Sequence, residues 1–335
     1  MNKTIESLMW VGLNHPVEMP HAAFTVRNAT IEHPGFCQVI RQIAFIHHRG
    51  REAKVAEGLL LVAQTGSGKT TALNYYASRF PRDMRGGVRQ TPVLLVTTPE
   101  HPTVKSLAEA ILVALGDPAA EKGSTQTKTR RILHFLERCG VQLLLIDEFQ
   151  HFSEGRRVAE SRRVTDWLKN LFNLACIPVV LCGLPRSIAV VNGNPQLRRR
   201  FSSPLYLAPF RFDTAEDRRI FRGVLLQIHR AMPVECPPLH AGSLSRRFYY
   251  ASCGLFDYVV KIVDRAVSML TTSGQRAITQ EVFAVAFREA VWRDAPDALN
   301  PFVASELREL KLQGEPFDIW DPPERYSAPS VAGRR

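Results

Sequence analysis

The sequence predicts an α/β fold, a parallel sheet wrapped by helices, followed in the chain by a smaller all-helical domain. Three observations carry that expectation. Four apolar runs of strand length alternate with segments of helical periodicity, at 59–62, 92–97, 141–146 and 177–183. The first run leads into Ala63-Gln64-Thr65-Gly66-Ser67-Gly68-Lys69-Thr70, a glycine-rich turn that opens a helix. The third run ends in two acids, Asp147-Glu148.

Taken in order, residues 1–20 hold Pro16 and Pro20 with little periodicity and read as an extended arm. A helix is expected over 35–52, because Phe36, Val39, Ile40 and Ile43 share one face and Pro34 suits a helix start. His47-His48 are neighbours that point to different faces, so they make a poor metal pair. After the glycine-rich turn a helix runs from Thr71 to Phe80, and 81–87 reads as a loop. Val104, Leu107, Ala108, Ile111, Leu112 and Leu115 recur at helical spacing until Gly116 and Pro118 end the helix. The polar stretch 121–128 reads as a loop before a helix containing Ile132, Leu133, Phe135 and Leu136. Residues 158–174 are a further helix, and Leu205-Tyr206-Leu207 a short fifth strand. Beyond Phe210 strand signals fade. Asp213 or Thr214 can cap a helix, and helices are expected at 243–253, 255–271 and 278–291. The remainder is rich in Pro, Glu and Arg. It reads as tail, with helical propensity at 305–312 and Phe317, Ile319 and Trp320 as apolar docking candidates.

The chemistry sits at the two strand ends. In a P-loop, glycines let the backbone N–H groups face phosphate oxygens, and the following helix adds about half a positive charge at its N-terminus. Thr65, Gly66, Ser67, Gly68, Lys69, Thr70 and Thr71 are therefore the candidate nucleotide-binding set. Lys69 can reach the β- and γ-phosphates, and the Thr70 hydroxyl can ligate Mg²⁺. Ala63 stands where the motif usually opens with glycine. Asp147 is the second expected Mg²⁺ ligand of an ATP–Mg²⁺ complex. Glu148 is the candidate catalytic base, orienting and deprotonating the water that attacks the γ-phosphate.

Composition bounds the partners. The chain has 335 residues, a net charge of +11 and a pI near 9.7, which suits a polyanion such as nucleic acid. Arginines cluster at 156–157, 162–163 and 198–200. No apolar run approaches the roughly 20 residues of a membrane span. The N-terminus lacks an apolar signal core. Six cysteines without a C-x-x-C pair are expected in a reducing cytoplasm.

A P-loop α/β domain with a helical lid resembles the AAA+ ATPases. Leu145-Ile146-Asp147-Glu148-Phe149-Gln150-His151, Ile177-Pro178-Val179-Val180-Leu181-Cys182-Gly183 and Gln196-Leu197-Arg198-Arg199-Arg200-Phe201 resemble, in order and spacing, the TniB/TnsC transposition ATPases. The resemblance covers about residues 35–290. With the composition of the two ends, the chain is expected to divide into an N-terminal arm at 1–34, an AAA+ domain with a five-stranded parallel sheet at 35–208, a helical lid at 209–295 and a flexible tail at 296–335. The resemblance implies a bacterial, cytoplasmic ATPase, slow and stimulated by assembly. Such a protein would oligomerise as a ring or filament on duplex DNA, and act with a DDE transposase and a TniQ-type targeting protein. Arg200 is implied as the arginine finger, with Arg199 next. The strand end Cys182-Gly183-Leu184 lacks the Asn or Thr usual for a sensor. Asp257 falls near the expected second-sensor arginine; either Lys261 or Arg265 substitutes for it or the sensor is absent, which fits slow hydrolysis. The resemblance also puts the loops at 100–105 and 121–128 on the inner surface of the oligomer. Lys105, Lys122, Ser124 and Thr125 are then the DNA contacts, helped by Lys128 and Thr127, and suited to phosphate rather than base edges; the arginine cluster at 156–163 is the alternative DNA path. Two other readings are a replication initiator or helicase loader, and a P-loop small-molecule kinase.

Overall fold

The computed structural model describes residues 24–53, 55–154, 158–201, 203–273 and 277–318. The arm expected at 1–20, Arg156, Arg157, Ile319 and Trp320 lie outside the described residues. Two compact units are present: 32–209, and 24–31 together with 210–318.

In the first unit, α1 (Pro34–Ala53) begins behind His33 and buries Phe36, Val39, Ile43 and Ile46. β1 (Gly58–Ala63) is buried along its whole length and feeds α2 (Lys69–Ser78). The stretch after α2 is not a plain loop. β2 (Asp83–Arg85) and β3 (Val88–Gln90) pair antiparallel about Gly86-Gly87. A Gly-Gly pair between short runs is a two-residue hairpin signal that the loop reading passed over. β4 (Val93–Thr97) follows, then α3 (Val104–Leu115), which opens with a Thr103/Ser106 capping box and ends at a left-handed Gly116. α4 (Thr125–Arg138) starts at Thr125, capped by the Ser124 hydroxyl, so the expected loop is shorter than 121–128. β5 (Leu143–Asp147), α5 (His151–Glu154), α6 (Val158–Ala175) and β6 (Val179–Gly183) complete the centre. α7 (Ser187–Asn192), α8 (Pro195–Arg200) and β7 (Leu205–Leu207) close the unit.

The five long-range strands form one parallel sheet in the order β4-β5-β6-β1-β7. Side chains alternate between its faces. Leu60, Val62, Leu144, Ile146 and Leu181 pack toward α3, α4 and α6, with Leu107, Ile132 and Leu168 among their partners. Leu59, Leu61, Leu143, Leu145 and Val180 pack with Val39, Ile43 and Leu73 of α1 and α2. A sheet covered on both faces must be apolar on both, which is why its strands read as continuous hydrophobic runs. Each fully buried Leu or Val contributes roughly 1.5–3 kcal/mol. Parallel pairing brings all C-terminal strand ends to one edge, where Thr97 lies opposite Asp147 and Val62 opposite Gly183. Crevices at that edge are where open α/β sheets bind ligands.

The second unit holds α9 (Ala215–Ala231), α10 (Gly242–Ser252), α11 (Phe256–Ser273) and α12 (Gln280–Ala290). Thr214 caps α9 in a box with Asp217. Two segments join this unit that composition did not assign to it. Val26 is buried, and its N–H donates to Asp264 of α11 at 2.8 Å. Residues 296–318 are no flexible tail. Phe302 packs on Phe248 and Phe283, Asn300 Nδ2 donates to the Ala284 carbonyl at 2.9 Å, and Phe317 meets Tyr258 edge-on. The buried aromatics at 302 and 317 offset the ordering entropy that a Pro- and Glu-rich segment otherwise keeps. No helix forms at 305–312.

Candidate active site

The P-loop is built as its residue types demand. Gly66 and Gly68 have φ of 81° and 90°, a region that side chains rarely adopt. Gly68 is the N-cap of α2, and a Cβ there would meet nothing, so conformation rather than space selects glycine. Ala63 is the last residue of β1, in register with Leu207. Its φ is negative, so the departure from glycine leaves the loop intact. Gln64 Nε2 and Ser67 Oγ are buried polar atoms without a hydrogen-bond partner. Orphaned donors in such a loop fit an anion bearing several acceptor oxygens. Thr65 and Thr71 lie exposed beside the loop.

Two contacts join the P-loop helix to the end of β5. Lys69, 8% exposed, places Nζ 2.7 Å from Glu148 Oε1. Thr70 Oγ1 donates to Asp147 Oδ2 at 2.7 Å. Asp147 is 2% exposed, and its Oδ1 accepts the Glu148 N–H at 2.8 Å. A hydroxyl and a carboxylate held together form the donor set expected of a Mg²⁺ site. Glu148 has a left-handed backbone, φ 57°, uncommon for a residue other than glycine and met where sites store strain. Burial pushes its carboxyl up. The hydrogen bond and charge of Lys69, then the Gln150 amide and His151, outweigh that and hold it below the usual glutamate range. Glu148 is therefore ionised at neutral pH, as a base must be.

At the neighbouring strand end Cys182 is fully buried. Burial, and then the negative charge of Asp147, push its thiol well above the ordinary value, so it stays protonated. Gln150 is also buried; its Nε2 donates to Glu148 Oε2 and its Oε1 accepts the Leu184 N–H at 3.1 Å.

This architecture has known counterparts. A family model described as "Bacterial TniB protein" matches residues 22–211. The chain belongs to the TniB family. Similar solved folds include the Aeropyrum pernix ORC2 protein in ADPNP–ADP complexes (14% identity, TM-score 0.59, 78% of this chain and 70% of that one). The Aeropyrum pernix ORC1 protein in complex with DNA is another (17%, 0.57, 84% and 69%). A third is Cdc6p from Pyrobaculum aerophilum (12%, 0.55, 80% and 70%). At these identities the likeness is one of fold. No curated protein matches the chain in sequence. This TniB protein is an AAA+ ATPase with a P-loop nucleotide site.

The other expected site residues of the TniB chain fall in three groups. Arg198 and Arg199 are exposed on α8. Arg200 is half-buried and folded back: its guanidinium donates to Asn173 Oδ1 at 2.8 Å and to the Phe172 carbonyl at 3.1 Å, over the Phe172 ring. Leu197 and Phe201 anchor the turn, Phe201 stacking where a Cβ on Gly58 would stand. Lys105, Lys122 and Ser124 are exposed, and Thr125 is part-exposed at the start of α4. Lys128 is corrected: it is fully buried, its Nζ bound to the Ala120 and Lys122 carbonyls and 3.2 Å from Glu109. It offers no ammonium to a ligand. The Thr127 hydroxyl is likewise engaged, with Ser124 at 3.1 Å. In the helical unit Lys261 pairs with Asp257 at 2.8 Å and Arg265 pairs with Glu289. Gln150 is the residue that sequence reasoning missed. Its only signal was a polar residue two places after the second acid, in a buried run.

Proposed function

We propose that this protein regulates DNA transposition by assembling on duplex DNA in an ATP-dependent manner and then recruiting or activating a DDE transposase, with a TniQ-type protein supplying target choice. The observation that carries the reading is the closed pair of contacts, Lys69 to Glu148 and Thr70 to Asp147, in a chain of the TniB family. The P-loop amides and Lys69 hold the phosphates of ATP. Thr70 and Asp147 hold Mg²⁺, which when bound neutralises phosphate charge. Glu148 orients a water toward the γ-phosphorus and takes its proton as the bond to the β-phosphate oxygen breaks. Arg200 serves a neighbouring subunit's ATP as finger, giving up its two contacts on α6, with exposed Arg199 as the alternative. Lys105 and Lys122, with Ser124 and Thr125, contact DNA phosphates without reading bases.

Two measurements test this. Glu148→Gln should retain ATP binding and trap the assembly on duplex DNA, as seen by electron microscopy. Wild-type hydrolysis by that variant would remove the base assignment. Duplex titration at several salt concentrations, with an ATP analogue, should show the slope of log K reduced by about 0.9 for each lysine replaced in Lys105→Ala and Lys122→Ala. An unchanged slope in the double variant, with assembly intact, would move the DNA path elsewhere. Association with a transposase separates this reading from a replication initiator, which shares the fold.

A further inference from the structure

Gln150 stands two residues beyond Glu148 and is 2% exposed. Both ends of its amide are determined by their partners. The Leu184 N–H can only donate, so Oε1 faces it at 3.1 Å. Nε2 is thereby turned to Glu148 Oε2, to which it donates. The slot that admits the amide exists because residue 183 is glycine. A Cβ on Gly183 would lie 2.8 Å from Gln150 Oε1 and 2.3 Å from Ser187 Oγ. Lys69, the other partner of Glu148, has phosphate to serve as well. The end of β6 brings only a protonated thiol, a glycine and a backbone N–H, with no amide or hydroxyl side chain at 182–184.

We infer that Gln150 is a positioning residue for hydrolysis: its amide holds the Glu148 carboxylate and ties it to the end of β6, supplying from beyond β5 the polar group that β6 lacks. This rests on Glu148 being the group that orients the attacking water. A change in the Gly183-Leu184 backbone then reaches Glu148 through one side chain.

The test uses the full chain. Gln150→Met keeps the length and removes both hydrogen bonds. Gln150→Glu keeps an acceptor for Leu184 but meets Glu148 with like charge. Both should lower kcat about 10²-fold, the scale of a misplaced reacting group. KM and the affinity for a fluorescent ATP analogue should stay within about twofold, since the P-loop is untouched. In a Glu148→Gln background, Gln150→Met should have no further effect on turnover, because the two act as a unit. Turnover near wild type in a folded Gln150→Met protein overturns the inference. So does an ATP-binding loss as large as the loss in kcat, or a full additional loss in the Glu148→Gln background. If Gln150→Met does not fold, Gln150→Glu is judged by the same measures. Wild-type turnover by Glu148→Gln brings down the base assignment and this inference together. An inactive Glu148→Gln beside an active Gln150→Met brings down this inference alone.

Discussion

At the scale of single residues, environment rather than residue type decides what a side chain does. Lys105 and Lys128 are the same residue, yet one is exposed and the other is fully buried against carbonyls. His33 shows the same effect at a helix start. It precedes Pro34 at the head of α1, and its Nδ1 accepts the Phe36 N–H at 3.4 Å. Burial lowers its pKa from 6.5 to about 4, and an accepting Nδ1 needs the neutral ring. The folded pKa lies below the unfolded one, so the unfolded chain binds the proton first. The stabilising contribution is whole above pH 6.5 and drains away as pH falls toward 4. His33→Asn keeps a capping acceptor without a titrating group. Thermal melts should then show a shallower loss of stability between pH 6.5 and 4 than in the wild type, with similar melting near pH 7.5. Parallel curves for the two proteins would exclude His33 as the source.

At the scale of elements, the α3–α4 connection is held from within. Lys128 bonds the Ala120 and Lys122 carbonyls, and Arg131 bonds the Lys122 carbonyl at 3.1 Å and Asp117. Asp117 also accepts the Ala119 N–H at 2.9 Å. Two cations from one helix thus satisfy the carbonyls of a turn and fix where Lys122 and Ser124 stand. Removing one partner of a buried ion pair typically costs 3–5 kcal/mol, but Glu109 is 27% exposed and keeps access to water. Lys128→Met should therefore cost about 1–3 kcal/mol, chiefly from the orphaned Ala120 carbonyl, since Arg131 still serves the carbonyl of Lys122. Denaturant unfolding measures the loss, and faster amide exchange over 117–124 should accompany it. Unchanged stability would mean that the turn holds itself.

At the scale of the whole molecule, the proposed role of Arg200 at a neighbouring subunit's ATP sets a structural requirement. Arg200 is bonded to its own α6 through Asn173 and Phe172, so a role in trans requires exchange of those bonds for phosphate. An arginine finger is worth roughly 10³–10⁵ in rate, far more than two such hydrogen bonds. The exchange is therefore affordable. Arg200→Ala should bind nucleotide as isolated subunits yet hydrolyse slowly, and mixing it with Lys69→Ala should restore turnover at the interfaces that pair an intact P-loop with an intact finger. Absence of rescue at every mixing ratio, with rescue by Arg199→Ala in its place, would transfer the role to Arg199.

The sequence by itself determined the α/β class and the five strands of the parallel sheet, and it pointed to Lys69, Thr70, Asp147 and Glu148, which the structure brings together. These depend on local chemistry: apolar runs for strands buried on both faces, glycines where φ is positive, and a Lys-Thr pair at a helix start with two acids at a strand end. The structure decided what depends on distant neighbours. Gln150 acquires its role only because Gly183, a residue of another strand, leaves room for its amide. Lys128 is withdrawn from the surface by carbonyls six and eight residues before it, together with Glu109 on another helix. Residues 296–318 read as tail because their apolar residues are sparse, and they fold because Phe248, Phe283 and Tyr258 lie where Phe302 and Phe317 arrive. Periodicity and motif record what a segment does with its own neighbours. Burial and partnership across the chain are set only once the sheet and helices are assembled.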